Sequence, residues 1–176
     1  DDKELSKFHY DYFAEHAADF NMSRKAWQSL RNDVNLSWFK KIHIWSDNGL
    51  KSVPNMHYFQ QLFLEIDVPI IMYFFAPYHG HSECDTHYGN GKQAIRYEKG
   101  AEPLTRMDDV LMCFNRLPNT VACLLGDITE LQPDYKSLDD GIRAFFHFEF
   151  TEIGDLKCRV RTGSKKCTIQ CIEYSA

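Results

Sequence analysis

Residues 42–75 read IHIWSDNGLKSVPNMHYFQQLFLEIDVPIIMYFF, and this stretch decides the fold. Its apolar start stops at SDNG, a cluster of turn formers, which predicts a short strand over residues 42–45. Apolar side chains then recur at helical spacing after Asn55, a good N-cap. Residues 68–76 are continuously apolar and rich in branched and aromatic side chains, as in a central strand covered on both faces. Strand, helix and buried strand in this order predict a βαβ unit with two adjacent parallel strands.

The N-terminal side of this unit has helical patterning. Apolar residues within residues 3–20 lie three to five positions apart, which suits an amphipathic helix. Ser23 is a good N-cap for a second helix, and Asp33 for a short third one. Residues 1–40 are therefore predicted to be a helical lead-in.

The C-terminal side mixes helices and strands before it becomes purely β. Helices are predicted at about residues 92–97 and 107–117, and a buried strand at residues 120–125. Three strand patterns then alternate with glycine-containing turns, which predicts an antiparallel meander. Its strands are predicted at residues 142–150, 156–162 and 168–174.

Length and composition favour one folded domain of the α/β class. The chain has 176 residues, of which 44% are hydrophobic and 14% aromatic, so it can bury a substantial core. We predict a single domain over residues 1–176. Its parts are the lead-in at 1–40, an α/β core at 41–135 and an antiparallel β extension at 140–176.

Signals for export, membrane insertion and disulfide formation are not expected. The sequence has no run of ~18 apolar residues, and it begins with the acidic stretch DDKE. Its six cysteines are scattered among apolar segments without a CxxC pair, which favours core thiols over a disulfide framework or a zinc ribbon. They are Cys84, Cys113, Cys123, Cys158, Cys167 and Cys171.

A net charge of −5 argues against nucleic-acid binding by the whole surface and leaves local basic patches as candidates. One such group, which we call the C-terminal basic patch, lies on a predicted hairpin. Its first three members alternate with apolar residues, so they should share one exposed face. The patch is either a solvated sheet face or a contact for the phosphate backbone of a nucleic acid. It consists of Lys157, Arg159, Arg161, Lys165 and Lys166.

Polar residues follow both strands of the predicted parallel pair. Asp47 lies at the end of the first strand, and residues 79–87, HGHSECDTH, follow the second. Because ligands of α/β sheets bind beyond the carboxyl ends of parallel strands, we expect these two groups to converge on one rim. Mg²⁺ favours one or two carboxylates together with water and substrate phosphates. The pattern therefore predicts a divalent-metal site with Asp47 and Asp85 as ligands.

Residues 41–96 resemble a pattern of eukaryotic transposon-derived proteins with a ribonuclease H-like core. The resemblance runs through IHIWSDNGLKSVPNMHYFQQL and VPIIMYFFAPYHGHSECDTHYGNGKQAIR. The family pattern is a strand ending in Ser-Asp-Gly, a helix, an apolar strand, and then His-Gly-Lys-Gly-x-x-Asp-x-x-Gly-Gly-x-x-Lys. In this chain Asn48 stands where the family has Gly, and His81 replaces the Lys. Residues 87–91, HYGNG, match the Gly-Gly element only loosely.

The resemblance implies a transposase- or integrase-type site in which acids hold Mg²⁺ or Mn²⁺. It assigns Asp47 and Asp85 as the second and third acids, both catalytic and metal-binding, with His79 as an orienting group or phosphate contact at the metal. Two ions would activate the attacking hydroxyl and stabilise the leaving oxygen. The implied function is hydrolysis or strand transfer on DNA in the nucleus, within a longer parent chain. A three-stranded meander that carries the first acid should precede Asp47, but residues 1–40 are predicted to be helical, so this acid is not identified.

Other interpretations of these residues stay open. Asp47 is also a common turn former at a strand end, and Asp85 also suits the first turn of a helix. A zinc site with H-x-H-x₂-C-x₂-H spacing is a further alternative, although it matches no closed structural pattern. Its ligands would be His79, His81, Cys84 and His87. At the level of function, the alternative is a catalytically silent module that binds DNA or a protein partner.

Aromatic and histidine residues outside these motifs are predicted to serve packing. Phe145, Phe148 and Phe150 lie in a continuous aromatic strand and are predicted to be core residues rather than platforms for nucleic-acid bases. His43 and His57 have apolar neighbours and are predicted to be packing or surface residues.

Overall fold

The computed structural model describes residues 7–15, 19–75, 83–100, 106–129, 142–152, 155–160 and 168–171. Its strands are β1 (His9–Phe13), β2 (Ile42–Ser46), β3 (Ile70–Phe74), β4 (Thr120–Leu124), β5 (His147–Glu152), β6 (Asp155–Arg159) and β7 (Thr168–Cys171). Its α-helices are α1 (Phe20–Asp33), α2 (Val53–Ile66), α3 (Glu83–Lys99) and α4 (Met107–Phe114). Single 3₁₀ turns occur at Leu36–Trp38, Asn48–Leu50 and Ile142–Ala144. The α/β class predicted from the sequence is confirmed.

The parallel pair predicted within residues 42–75 is also confirmed. Strands β2 and β3 are parallel neighbours, and α2 lies between them in the chain. The helix begins earlier than predicted because Ser52, rather than Asn55, is its N-cap. Ser52 Oγ accepts a hydrogen bond from the Asn55 N–H at 3.4 Å, and Pro54 lies in the first turn, where its missing N–H costs nothing.

The predicted antiparallel meander is confirmed, and it belongs to the same sheet as the parallel pair. Its first strand begins at His147 rather than at residue 142, because residues 142–144 form a 3₁₀ turn. The strand order is β2-β3-β5-β6-β7, with β3 and β5 antiparallel. The β5–β6 and β6–β7 pairs are antiparallel as well. The segment that we predicted to be an extension therefore supplies the strand that directly flanks β3.

One face of this sheet packs on α1 and α2 to form a hydrophobic core. Phe59 of α2 is fully buried and meets Trp27 of α1 edge to face, with 5.3 Å between the ring centroids. Phe148 and Phe150 of β5 are fully buried in the same core, and Phe145 packs against it, as predicted. Each fully buried Phe contributes about 1.5–3 kcal/mol relative to an exposed one.

The helix predicted over residues 3–20 is wrong at residues 9–13, which form β1. This strand pairs in parallel with β4 over five residue pairs. Its sequence, HYDYF, is rich in aromatic residues, which favour a pleated and half-buried surface. Parallel pairing with β4 also satisfies backbone N–H and C=O groups. Because β4 is distant in the sequence, this pairing cannot be predicted from the local spacing of apolar residues.

The helices of the lead-in are capped by other residues than predicted. The side chain of Asp19 caps α1 by accepting a hydrogen bond from the Met22 N–H at 3.0 Å. Ser23, the predicted cap, lies inside the helix. The predicted third helix is a single 3₁₀ turn, and its cap is Asn35 rather than Asp33, because Asp33 is still part of α1.

The chain folds into two compact units. One comprises residues 1–17 and 81–128 and contains β1, β4, α3 and α4. The other comprises residues 18–80 and 129–176 and contains α1, α2 and the five-stranded sheet. The predicted single-domain organisation stays a prediction, since two compact units are compatible with one domain or two. Across the described ranges, no helix is long and apolar enough to span a membrane.

Candidate functional site

Asp47 lies directly after β2, at the strand end predicted from the sequence. Its side chain is exposed, and Oδ1 accepts a hydrogen bond from the Gly49 N–H at 2.8 Å. Ser46 Oγ lies 3.5 Å from the same oxygen. Asp47 is therefore the N-cap of the following 3₁₀ turn, in agreement with the turn-former interpretation, and it is also exposed enough to meet a ligand.

Lys51 packs the loop after Asp47 against two aromatic rings. The Lys51 ammonium lies 3.8 Å from the ring centroid of Phe146 and 5.5 Å from that of Phe74. Burial lowers the pKa of Lys51 below its usual range, because desolvation disfavours the charged form. This cation–π contact ties the loop, and with it the carboxylate of Asp47, to the end of the sheet.

Asp85 lies in the first turn of α3, together with Glu83. Both side chains are exposed, and negative charge at this position is stabilised by the helix dipole. Asp47 and Asp85 belong to different compact units, so the metal site that would join them stays a prediction. His79 and His81 lie outside the described residues, and the metal role of His79 and the zinc alternative stay predictions. Within the described ranges, no three His, Cys, Asp or Glu side chains form a group that could hold a metal ion.

The described residues contain a buried acid–histidine pair that sequence analysis missed. Asp11 lies in the middle of β1 and His87 in α3, and their side chains are only 7% and 8% exposed. His87 Nε2 lies 2.6 Å from Asp11 Oδ2. The ring of His9 stacks on that of His87, with 3.8 Å between centroids and 2° between the planes. A carboxylate bound in this way fixes the orientation of the imidazole.

Two aromatic rings, Phe114 of α4 and Tyr88 of α3, lie beside this pair. Phe114 meets the His87 ring edge to face, at a centroid distance of 5.9 Å, and Tyr88 meets Phe114 at 5.8 Å. The pKa of Tyr88 is raised, mainly because burial disfavours the phenolate and further because Asp11 carries negative charge nearby. The Asp11 carboxylate is buried, and His87 is its described polar partner.

Two of the five residues of the C-terminal basic patch are described, and one of them, Arg159, is paired with an acid. Lys157 and Arg159 alternate along β6 as predicted, but both are half-buried rather than exposed. Arg159 Nη1 lies 2.9 Å from Glu149 Oε1, and His147 Nε2 lies 2.8 Å from the same oxygen. Glu149 is on the neighbouring strand β5, so this cross-strand ion pair holds Arg159 against the sheet. The other members of the patch lie outside the described residues.

The cysteine prediction is confirmed in part. Cys113 and Cys158 are buried free thiols, as expected of core cysteines. The prediction is wrong for Cys84, which is exposed in the first turn of α3. Cys123 is half-buried. The remaining two cysteines have no described side chain.

Comparison with known proteins identifies no relative. No family model, no curated protein and no solved structure matches the chain. The resemblance over residues 41–96 therefore rests on the motif residues themselves, and function has to be argued from them and from the geometry.

The pair of Asp11 and His87 escaped sequence analysis because residues 3–20 were predicted to be helical. On a helix, Asp11 would be one more polar surface residue. The signal in the sequence was a lone acid within the aromatic run HYDYF. An acid in such a run is worth noting, because carboxylates are rarely buried without a partner.

Proposed function

We propose that this chain is a transposase-derived, nucleic-acid-associated domain whose acids support metal-dependent phosphodiester hydrolysis or strand transfer. The observation that carries the proposal is Asp11, a buried carboxylate in the middle of a strand that precedes Asp47. The family pattern places the first acid in a three-stranded meander before Asp47. Asp11 also precedes Asp47 on a strand, although β1 pairs in parallel with β4 and departs from the pattern in this respect. Asp11, Asp47 and Asp85 then supply the three acids in chain order.

The proposed chemistry needs oxygen ligands, and the three acids are of the right type. When bound, Mg²⁺ or Mn²⁺ would supply activation of the attacking hydroxyl and stabilisation of the leaving oxygen. Asp47 would contribute an exposed carboxylate at the end of β2, where the cation–π contact of Lys51 anchors the following loop. Asp11 would contribute a carboxylate oriented by His87. The fit is incomplete, because no three-ligand group is assembled within the described residues, and we derive no reaction step through the metal.

A catalytically silent module that binds DNA or a protein partner is the second candidate. It is favoured by the engagement of the acids in structural hydrogen bonds. Asp47 Oδ1 accepts from Gly49, and Asp11 Oδ2 is bound to His87. In a domesticated domain these bonds would maintain the fold, and the acids would have no further role.

The experiment that separates the two candidates is a cleavage assay on labelled single-stranded and duplex DNA. We expect cleavage with Mn²⁺ or Mg²⁺ and none with a chelator. Asp11→Asn, Asp47→Asn and Asp85→Asn should each abolish it. Asp108→Asn, at a carboxylate whose side chain is 73% exposed, is the matched control and should cleave like the wild type. A folded wild-type chain that cleaves neither DNA with either metal would favour the silent module.

A further inference from the structure

The segment that leads into β2 combines exposed aromatic rings with lysines. Residues 38–45 read WFKKIHIW, and we call them the 38–45 segment. Trp38 is 84% exposed, Phe39 49% and Trp45 58%. Lys40, Lys41 and His43 are exposed as well. Of the two isoleucines, Ile44 is buried in the core and Ile42 packs against it. The two isoleucines therefore contribute to the hydrophobic core, whereas core packing does not explain the exposed aromatic rings.

Four rings on the outward face of β2 and β3 form a column. Tyr73 stacks on Trp45, with 4.2 Å between centroids and 13° between planes, and on His43, at 5.7 Å and 7°. Trp45 continues the column to Phe75 at 5.8 Å. A hydrogen bond of 3.0 Å joins His43 Nδ1 and the Tyr73 hydroxyl. The column is therefore held in place before any ligand arrives.

Two lysines precede these rings on β2, and the exposed carboxylate of Asp47 follows them. Lys40 and Lys41 directly precede β2, and neither has an ion pair with a described residue. Among the described strands, β2 lies at the edge of the five-stranded sheet, so both the rings and the lysines lie at that margin. Protein interfaces are depleted in lysine at their cores, which argues against a protein as the occupant. Aromatic rings interspersed with cations are the means by which proteins hold single-stranded nucleic acid.

We propose that the 38–45 segment binds single-stranded nucleic acid. Trp38, Phe39 and Trp45 stack on unpaired bases, and Lys40 and Lys41 contact the phosphates between them. A duplex is the poorer ligand, because its base faces are already stacked on each other. The inference deepens the proposed function and rests on its nucleic-acid association, but it does not depend on the metal ligands.

The test measures the affinity of the protein for labelled oligo-dT of about 15 nucleotides and for a duplex of equal length. A chelator removes any metal contribution. We expect the single strand to bind more tightly, and Trp38→Ala and Trp45→Ala each to weaken it roughly tenfold. Lys40→Ala/Lys41→Ala should reduce the dependence of log K on log salt by about 1.4, or about 0.7 for each phosphate that a lysine neutralises.

Matched controls lie in the other compact unit. Tyr97→Ala removes an aromatic ring that is 81% exposed, and Lys92→Ala/Arg96→Ala removes two cations from α3. Both should bind oligo-dT like the wild type. Because Trp38 is almost fully exposed, its replacement should leave the melting temperature unchanged, so a weaker affinity cannot be attributed to unfolding.

Three outcomes would overturn the proposal. They are no binding of oligo-dT by the wild type, undiminished binding by both tryptophan variants, or equal losses in the controls. Binding of the duplex without binding of oligo-dT would reject this stacking site and leave the proposed nucleic-acid association standing. Conversely, tryptophan-dependent binding of oligo-dT without metal-dependent cleavage would support the stacking site and reject catalysis.

Discussion

His87 Nε2 lies 2.6 Å from Asp11 Oδ2, and this bond joins α3 to the middle of β1. Asp11→Ala should lower the free energy of unfolding by about 1–3 kcal/mol, because it leaves a buried imidazole nitrogen without its acceptor. His87→Ala should also destabilise, and the double variant should lose less than the sum of the two. Urea denaturation measures all three. Lys7→Ala, which breaks the exposed Lys7–Glu83 pair, is the control and should have a much smaller effect. Additive losses would mean that the Asp11–His87 bond contributes nothing.

Two glycines of α3 provide a matched test of how this helix packs. A Cβ atom on Gly91 would overlap the ring of Phe114 in α4, whereas a Cβ atom on Gly89 meets nothing within 4 Å. Gly91→Ala should therefore destabilise by about 1–3 kcal/mol through overpacking. Gly89→Ala should stabilise by about 0.5–1 kcal/mol, because alanine restricts the unfolded chain and favours a helix. Chemical denaturation of both variants checks the prediction. A Gly91→Ala variant as stable as the wild type would contradict the close packing of α3 on α4.

Metal binding by the acids should be visible as thermal stability. If Asp47 and Asp85 share divalent ions, millimolar Mg²⁺ or Mn²⁺ should raise the melting temperature, by an amount that grows with the metal concentration relative to its dissociation constant. Asp47→Asn and Asp85→Asn should each abolish the shift. In the absence of metal, Asp85→Asn should lose at most about 1 kcal/mol, because the helix dipole stabilises a negative charge in the first turn of α3. If neither metal changes the melting temperature of the wild type, the catalytically silent module would be favoured.

The C-terminal basic patch should contribute to nucleic-acid binding through charge. Lys157→Ala and Arg159→Ala should each lower the salt dependence of binding by about 0.7–0.9 for each phosphate that the protein no longer neutralises. Glu149→Gln should have the opposite effect on affinity, because it removes the carboxylate bound to Arg159. Salt titrations of the three variants measure these effects. If all three match the wild type, the patch is a solvated sheet face.

A fall in pH should destabilise the compact unit that contains α2, because of His57. This side chain is 2% exposed in α2, and burial lowers its pKa below the ordinary value of 6.5. Below about pH 6.5 the unfolded chain therefore binds more protons at His57 than the folded chain does. The free energy of unfolding should fall with decreasing pH in that range, by at most about 1.4 kcal/mol per pH unit. His57→Gln should flatten this part of the stability curve, and equal slopes in both proteins would refute the assignment.

The sequence by itself determined the elements that depend on local pattern. The βαβ unit within residues 42–75 followed from a turn cluster, a helical period and one apolar run, all of which lie close together in the chain. The meander and α4 followed in the same way, and so did the position of Asp47 at a strand end. Such features are readable because hydrophobic periodicity and turn chemistry act over a few residues.

Only the tertiary structure decided which distant segments pair. β1 is a strand because Thr120–Leu124 lies beside it, and β5 joins the parallel pair because it hydrogen-bonds to β3. The pair of Asp11 and His87 depends on the first of these pairings, and the neutralisation of Arg159 depends on the position of Glu149 across the sheet. Backbone pairing and burial between remote segments outweigh local helical spacing, and a one-dimensional pattern does not record them.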